Sequence, residues 1–143
     1  MNITKLLAKY HSWEKMTKKE ETALWTKLRD KADQVFSLRV RTRDKNKDCI
    51  THEVPTCKHK IEHNCHRIER GRYSHRRDPE NCYGGCSSCN TFHEWEHKIY
   101  YTNFMIKKHW QAWVDKQLFE RNKKKPRIDD LLDIISKYSE NGK

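Results

Sequence analysis

All six cysteines and seven of the nine histidines of this 143-residue chain fall between residues 49 and 97, and that clustering constrains the fold more than any other feature. Two pairs carry the spacing of a metal knuckle: Cys49-Ile50-Thr51-His52 and Cys86-Ser87-Ser88-Cys89. Two intervening residues let one turn present two ligands to a single ion, and two such turns complete a tetrahedron. Thiolate and imidazole ligands suit zinc. Cys49, His52, Cys86 and Cys89 are therefore the expected structural zinc ligands, with Cys57 competing against His52 for the fourth place. Such a site would bolt a first strand at Cys49 to the start of a helix beyond Cys89. The remaining cysteines read as partly buried thiols. Only 34% of the chain is apolar, and a thin core gains from a bound metal. Met1 to Tyr10 lacks the apolar core and cleavage site of a signal peptide. The expected location is thus the reducing cytoplasm, where metal binding is the better reading of cysteines than disulfides.

The formal charge is +11, which favours a polyanionic partner. Residues 1–48 carry thirteen Lys/Arg against seven Asp/Glu, and residues 98–143 carry eleven against six, while residues 49–97 balance at seven each. The pattern is a chemical centre between two basic arms. No apolar run approaches the roughly 20 residues that span a bilayer, and the charges form no clean amphipathic face, so no membrane partner is expected.

Apolar periodicity predicts helices over 3–10 and 17–43. Leu24, Trp25, Leu28, Ala32, Val35, Phe36 and Val40 recur at spacings of three and four, as one buried face requires, and Thr17 with Glu20 forms a capping box. From Cys49 to Gly85 the helical period is lost, and glycines and prolines punctuate short strands and loops. A second long helix is predicted from Asn90, with Phe92, Trp95, Ile99, Ile106, Trp110, Trp113, Val114 and Leu118 facing the core. A basic linker, Asn122 to Arg127, precedes a terminal helix over 128–138.

Between the knuckles lies HNCHRIERGRYSHRRDPENCYGGCSSCN, His63 to Asn90. His66 is followed by Asn81 and then Asn90, and Glu94 stands one helical turn beyond Asn90, on the same face. This spacing resembles the HNH (ββα-metal) nuclease motif in its variant with a final asparagine. More closely, the chain is similar over roughly residues 24–106 to the lambdoid phage NinG/Rap recombination nuclease family, and less closely to phage endonuclease VII. The likeness rests on Lys31 to Ser37 followed by Arg39 to Asp44, on Cys49-Ile50-Thr51-His52 and His66-Arg67-Ile68-Glu69-Arg70, and on Asp78 to Asn81 and Cys86 to Asn90.

The resemblance implies that His66 is a general base taking a proton from the attacking water, which an imidazole of ordinary pKa, about 6.5, can do at neutral pH. It implies that Asn81 holds His66 in orientation across a hairpin, and that Asn90 and Glu94 carry Mg²⁺ or Mn²⁺. HNH enzymes usually have an acidic or histidine ligand just before the base, where this chain has Cys65. The lambdoid relatives tend to have aspartate three residues before it, where this chain has His63. His63 is the expected third ligand, and imidazole there shifts preference towards Mn²⁺, Ni²⁺ or Zn²⁺. Glu96 and His97 stand where relatives often have a glycine and small polar residues. Arg67, Arg70, Arg76 and Arg77 beside the motif, and Lys123, Lys124 and Lys125 in the linker, are the expected nucleic-acid contacts.

The expected architecture is α+β: a ββα-metal (HNH) centre with a structural zinc, wrapped by long helices. Residues 1–48 form a basic helical arm, 49–97 the zinc-stapled nuclease centre and 98–143 the C-terminal helices with a basic linker. The expected activity is metal-dependent hydrolysis of DNA, on branched or recombination-intermediate DNA in a phage-infected bacterial cell, with a homodimer allowed. The alternative is a non-catalytic zinc-containing module that binds nucleic acid. RNA stays open as the polymer, because phosphate contacts do not distinguish it from DNA.

Overall fold

The computed structural model describes the backbone of residues 1–92 and 94–140 and the side chains of residues 1–91 and 98–139. Its elements are α1 (Ile3–His11), α2 (Lys18–Asp44), β1 (His63–His66), β2 (Cys82–Gly85), α3 (Ser87–Phe92), α4 (Glu94–His109), α5 (Gln111–Glu120) and α6 (Ile128–Glu140). The architecture is α+β: the described residues form helices and a two-stranded antiparallel sheet. No helix among the described residues is long and apolar enough to cross a membrane. The chain divides into two compact units, Met1–Phe36 with Pro126–Lys143, and Ser37–Lys125. The division passes through α2 and puts the two chain ends in one unit, whereas the sequence reading cuts at residues 48 and 97.

The first unit is helical. Its main helix starts where the capping box predicts: Thr17 N donates to Glu20 Oε2 at 2.7 Å, and Glu20 N donates to Thr17 Oγ1 at 3.2 Å. These bonds satisfy two amides that the helix itself cannot. Asn2 caps α1 by accepting from Thr4 N at 2.8 Å. Leu24, Leu28 and Ala32, each one turn apart, are buried with Leu6 and Leu131. Each fully buried leucine contributes about 1.5–3 kcal/mol. Trp25 Nε1 donates to Pro126 O at 2.8 Å, and Tyr10 OH to Asp129 Oδ1 at 2.9 Å, so polar bonds join residues more than one hundred positions apart.

The second unit is built around the β1–β2 hairpin, in which His63 pairs with Gly85 and His66 with Cys82. Its core is Ile50, Cys65, Tyr83, Tyr101, Met105 and Val114. The last residue of α2, Asp44, is buried and ties that helix to β2. It accepts from Gly84 N at 2.9 Å, from Arg43 Nε at 2.8 Å and Nη2 at 2.7 Å, and from Lys47 Nζ at 3.0 Å. The buried Tyr101 hydroxyl shares its one proton between Asn81 O at 2.8 Å and Cys65 O at 3.2 Å, joining β1 to the residue that precedes β2.

Two sequence expectations change here. Cys49 lies just before a series of turns, not in a strand. The predicted helix over 90–118 is broken at Trp110, between α4 and α5, where φ is 75°. Ile99, Trp110 and Leu118 are exposed, at 60%, 81% and 37%, although periodicity put all three in the core. Phe92 and Trp95 belong to the same expectation, but their side chains lie outside the described residues.

Candidate metal centre and catalytic loop

Four thiols converge in the second unit. The Sγ atoms of Cys49, Cys57, Cys86 and Cys89 all lie within 4.8 Å of one another, and Cys57 Sγ is 3.9 Å from Cys86 Sγ. A tetrahedral zinc with Zn–S bonds near 2.3 Å separates its sulfurs by about 3.8 Å, so the cluster has the size such an ion needs. Backbone amides point at the sulfurs. Cys86 N lies 3.3 Å from Cys49 Sγ, Cys89 N 3.4 Å from Cys86 Sγ, and His59 N 3.3 Å from Cys57 Sγ. These donors favour thiolate over thiol.

The ionisation pattern follows. Burial opposes ionisation of Cys86, but the amides of Cys89 and Lys58 outweigh it and bring the thiol down to about 7. Burial and the neighbouring Cys49 push Cys57 up to about 11, and burial also raises Cys89. Four sulfurs packed this closely cannot all ionise unless a cation offsets their charge. Gly85 makes the packing possible, since a Cβ there would stand 2.6 Å from Cys65 Sγ and 3.4 Å from Cys49 Sγ.

The ligand set is a correction to the sequence reading, because the fourth group is the Cys57 thiol and not the His52 imidazole. His52 is exposed, and its ring Nδ1 lies 3.2 Å from the carbonyl of Cys49. The series of turns after Cys49 brings Cys57 back to the cluster, with Val54 N bonded to Thr51 O and Cys57 N to Val54 O. A ligand spacing of seven residues carries no knuckle signature, which is why Cys57 was only a competitor in the sequence.

Between the strands, residues 67–81 form a loop held by Asn81. The side chain is fully buried. Its Oδ1 accepts from Ile68 N at 2.8 Å, and its Nδ2 donates to Ile68 O at 3.2 Å and His75 O at 3.0 Å. None of these bonds goes to His66, which corrects the expected role of Asn81. The His66 ring is oriented by a backbone group instead, with Nε2 2.9 Å from the carbonyl of Arg76. A carbonyl can only accept, so Nε2 carries the proton and Nδ1 is the basic nitrogen. Cys82 Sγ, across the hairpin, donates to the same carbonyl at 3.7 Å. Asn81 therefore acts through the loop, by fixing the segment that presents this carbonyl. Neither Tyr101 nor the Arg76 carbonyl carried any sequence signal, because a backbone acceptor and a buried tyrosine look like any other position.

His63 and Asn90 do come together, with Asn90 Nδ2 3.1 Å from His63 Nδ1. A half-turn of the amide would exchange Nδ2 for Oδ1 and offer one oxygen and one imidazole nitrogen to a cation. Glu94 begins α4, but its side chain lies outside the described residues, as do those of Glu96 and His97.

Of the basic residues, Arg67 is a further correction. It is 7% exposed, burial lowers its guanidinium pKa, and its Nε and Nη2 have no hydrogen-bond partner among the described residues. Arg67 directly follows β1, with its N bonded to Asn81 O at 3.2 Å, and its side chain is buried, out of reach of a phosphate on the surface. Arg76 is half-buried and donates from Nη1 to Arg70 O at 3.0 Å. Arg77 is half-buried, while Arg70, Lys123, Lys124 and Lys125 are exposed. No protein-family model matches the chain, and no curated protein or solved structure is similar to it.

Proposed function

We propose that the second unit is a metal-dependent HNH-type endonuclease centre acting on DNA, with β1, β2 and α3 as its ββα core and zinc on Cys49, Cys57, Cys86 and Cys89. The observation that carries the reading is the pair of contacts at β1: His66 Nε2 on the Arg76 carbonyl, and His63 beside Asn90. The first places the ring proton on Nε2, which assigns proton acceptance in the proposed reaction to Nδ1. The second supplies part of a site for a hard divalent cation, to which Glu94 would add a carboxylate. A Mg²⁺ or Mn²⁺ ion held there would offset charge on the phosphorane and on the leaving 3′-oxygen.

His66 orients and deprotonates the water, and the Arg76 carbonyl keeps the ring in the working tautomer. His63 and His66 leave β1 on opposite faces. The scissile phosphate therefore has to sit at the open edge of the strand, the place reachable from both. Arg70, Arg76 and Arg77 would contact flanking phosphates. The net charge of +11 supports the choice of a polyanion. Branched or recombination-intermediate DNA, and a phage setting in a bacterial cell, follow from the NinG/Rap resemblance.

The test is cleavage of plasmid and four-way-junction DNA with Mg²⁺ or Mn²⁺. His66→Ala should lower the rate by about 10²–10⁴ while zinc content and DNA affinity hold, and added Mn²⁺ should not rescue it. Full activity in His66→Ala would end the HNH assignment. The second reading is a zinc module that binds without cutting. It is favoured by the neutral character of both described cation ligands, His63 and Asn90, and binding without cleavage under any divalent ion would establish it.

A further inference from the structure

The break between α4 and α5 puts a large aromatic ring where the backbone suits glycine. Trp110 is the only residue between the two helices and has φ 75° and ψ 158°. This part of the map is close to glycine-only, because a Cβ crowds the adjoining backbone there. The indole gains no packing in return. It is 81% exposed and makes no ring contact or hydrogen bond among the described residues. The other described tryptophans of these helices and of α2 are satisfied. Trp113 stacks on His109 at 4.1 Å between ring centroids, and Trp25 donates to a backbone carbonyl. Strain without local gain points to a use for the ring outside the chain.

The surroundings indicate what meets it. Trp110 N still bonds to Ile106 O at 2.9 Å, so the ring continues the exposed face of α4. Ile99, Asn103 and Lys107 lie on that face, at helical spacings of three and four, and all are exposed. From Ile99 to Trp110 the face runs about 16 Å at 1.5 Å per residue. From Lys98 to Val114 the sequence has no aspartate or glutamate. A stretch of Ile99, Asn103 and Lys107 without carboxylates, with the lysine one turn before a bare indole, matches the surfaces that take unpaired nucleotides. There the base stacks on the ring and the cation meets the phosphate.

We propose that this face of α4 docks an unpaired segment of nucleic acid, with one base stacked on Trp110 and the adjoining phosphate on Lys107. The inference rests on the nucleic-acid part of the function above, but not on cleavage chemistry. It narrows the substrate to nucleic acid with an unpaired stretch, such as a branch or a single-stranded end.

The experiment compares binding of a fluorescent oligothymidine and a fully paired duplex of equal length by wild type, Trp110→Ala, Trp110→Phe and Trp110→Gly. Trp110→Ala should bind oligothymidine about 5- to 100-fold more weakly, with duplex affinity within about twofold. Trp110→Phe should retain most of the single-strand affinity. Trp110→Gly should lose it while melting at a higher temperature than wild type, because glycine accepts the backbone angle. That rise separates loss of stacking from loss of fold. Trp13→Ala removes an equally bare indole, one beside Glu14 in the other unit, and should leave both affinities unchanged. Oligothymidine affinity that is the same in wild type and Trp110→Ala would overturn the proposal. So would a wild-type dimer that Trp110→Ala converts to monomer, since the face would then be a self-association surface. If wild type cuts DNA while Trp110→Ala binds normally, stacking fails and the nuclease stands. If wild type cuts nothing while single-strand binding depends on Trp110, the nuclease fails and stacking stands.

Discussion

Asp44 shows how one residue joins distant parts of the second unit. Burial raises its pKa, but the Arg43 guanidinium, the Gly84 amide and Lys47 outweigh that and hold it at about 2, against an ordinary 3.8. A depressed folded-state pKa means that the stabilisation is present above pH 3.8 and is lost as pH falls through about 2. The shift corresponds to about 2 kcal/mol. Asp44→Asn should therefore be destabilised by about that amount at pH 7, and the gap should persist to pH 4 and close below it. Denaturant melts at stepped pH measure this, and no gap at pH 7 would mean that the bolt contributes nothing. Arg67 leads to the opposite expectation. A buried guanidinium that lacks partners on two nitrogens among the described residues carries a desolvation cost that those residues do not offset. Arg67→Met should leave stability unchanged or raise the melting temperature, and should not weaken DNA binding. A large loss in either would show that the buried charge has a partner in function.

At the scale of elements, a metal held by Cys49, Cys57, Cys86 and Cys89 would staple the turns after Cys49 to the start of α3. In structural sites metal-binding energy is largely folding energy, so the staple should decide whether the hairpin forms. Cys57→Ser should lose zinc and destabilise the second unit strongly, whereas His52→Ala should keep its zinc. Elemental analysis and melting of the two variants separate the ligand sets, and zinc lost from His52→Ala but kept by Cys57→Ser would restore the histidine. Gly85→Ala should mimic the loss of a ligand, because the added methyl collides with Cys65 Sγ beside the cluster. The α4–α5 break belongs to this scale as well. Periodicity through 92–118 continues across Trp110 in the sequence, since a single residue at positive φ leaves no mark on a hydrophobic pattern.

For the whole molecule, the proposed function makes the excess of positive charge the main source of affinity for DNA. Binding to DNA should fall steeply with salt and depend weakly on sequence. Replacing Lys123, Lys124 and Lys125 together with glutamine should reduce the slope of log K against log salt by roughly two to three. An unchanged slope would mean that the linker does not touch phosphate. What the sequence determined by itself is local. The capping box and the stripe from Leu24 to Val40 set α2, and the Cys86 knuckle set the start of α3, because caps, apolar periods and short ligand spacings act between residues a few positions apart. The centre of a metal site between 49 and 89 was legible for the same reason. The choice of Cys57 over His52, the hold of Arg76 on His66, the burial of Arg67 and the exposure of Trp110 were settled only by tertiary structure. Each depends on where a loop or a helix end comes to rest against residues far away in the chain, and side-chain type alone does not encode that position.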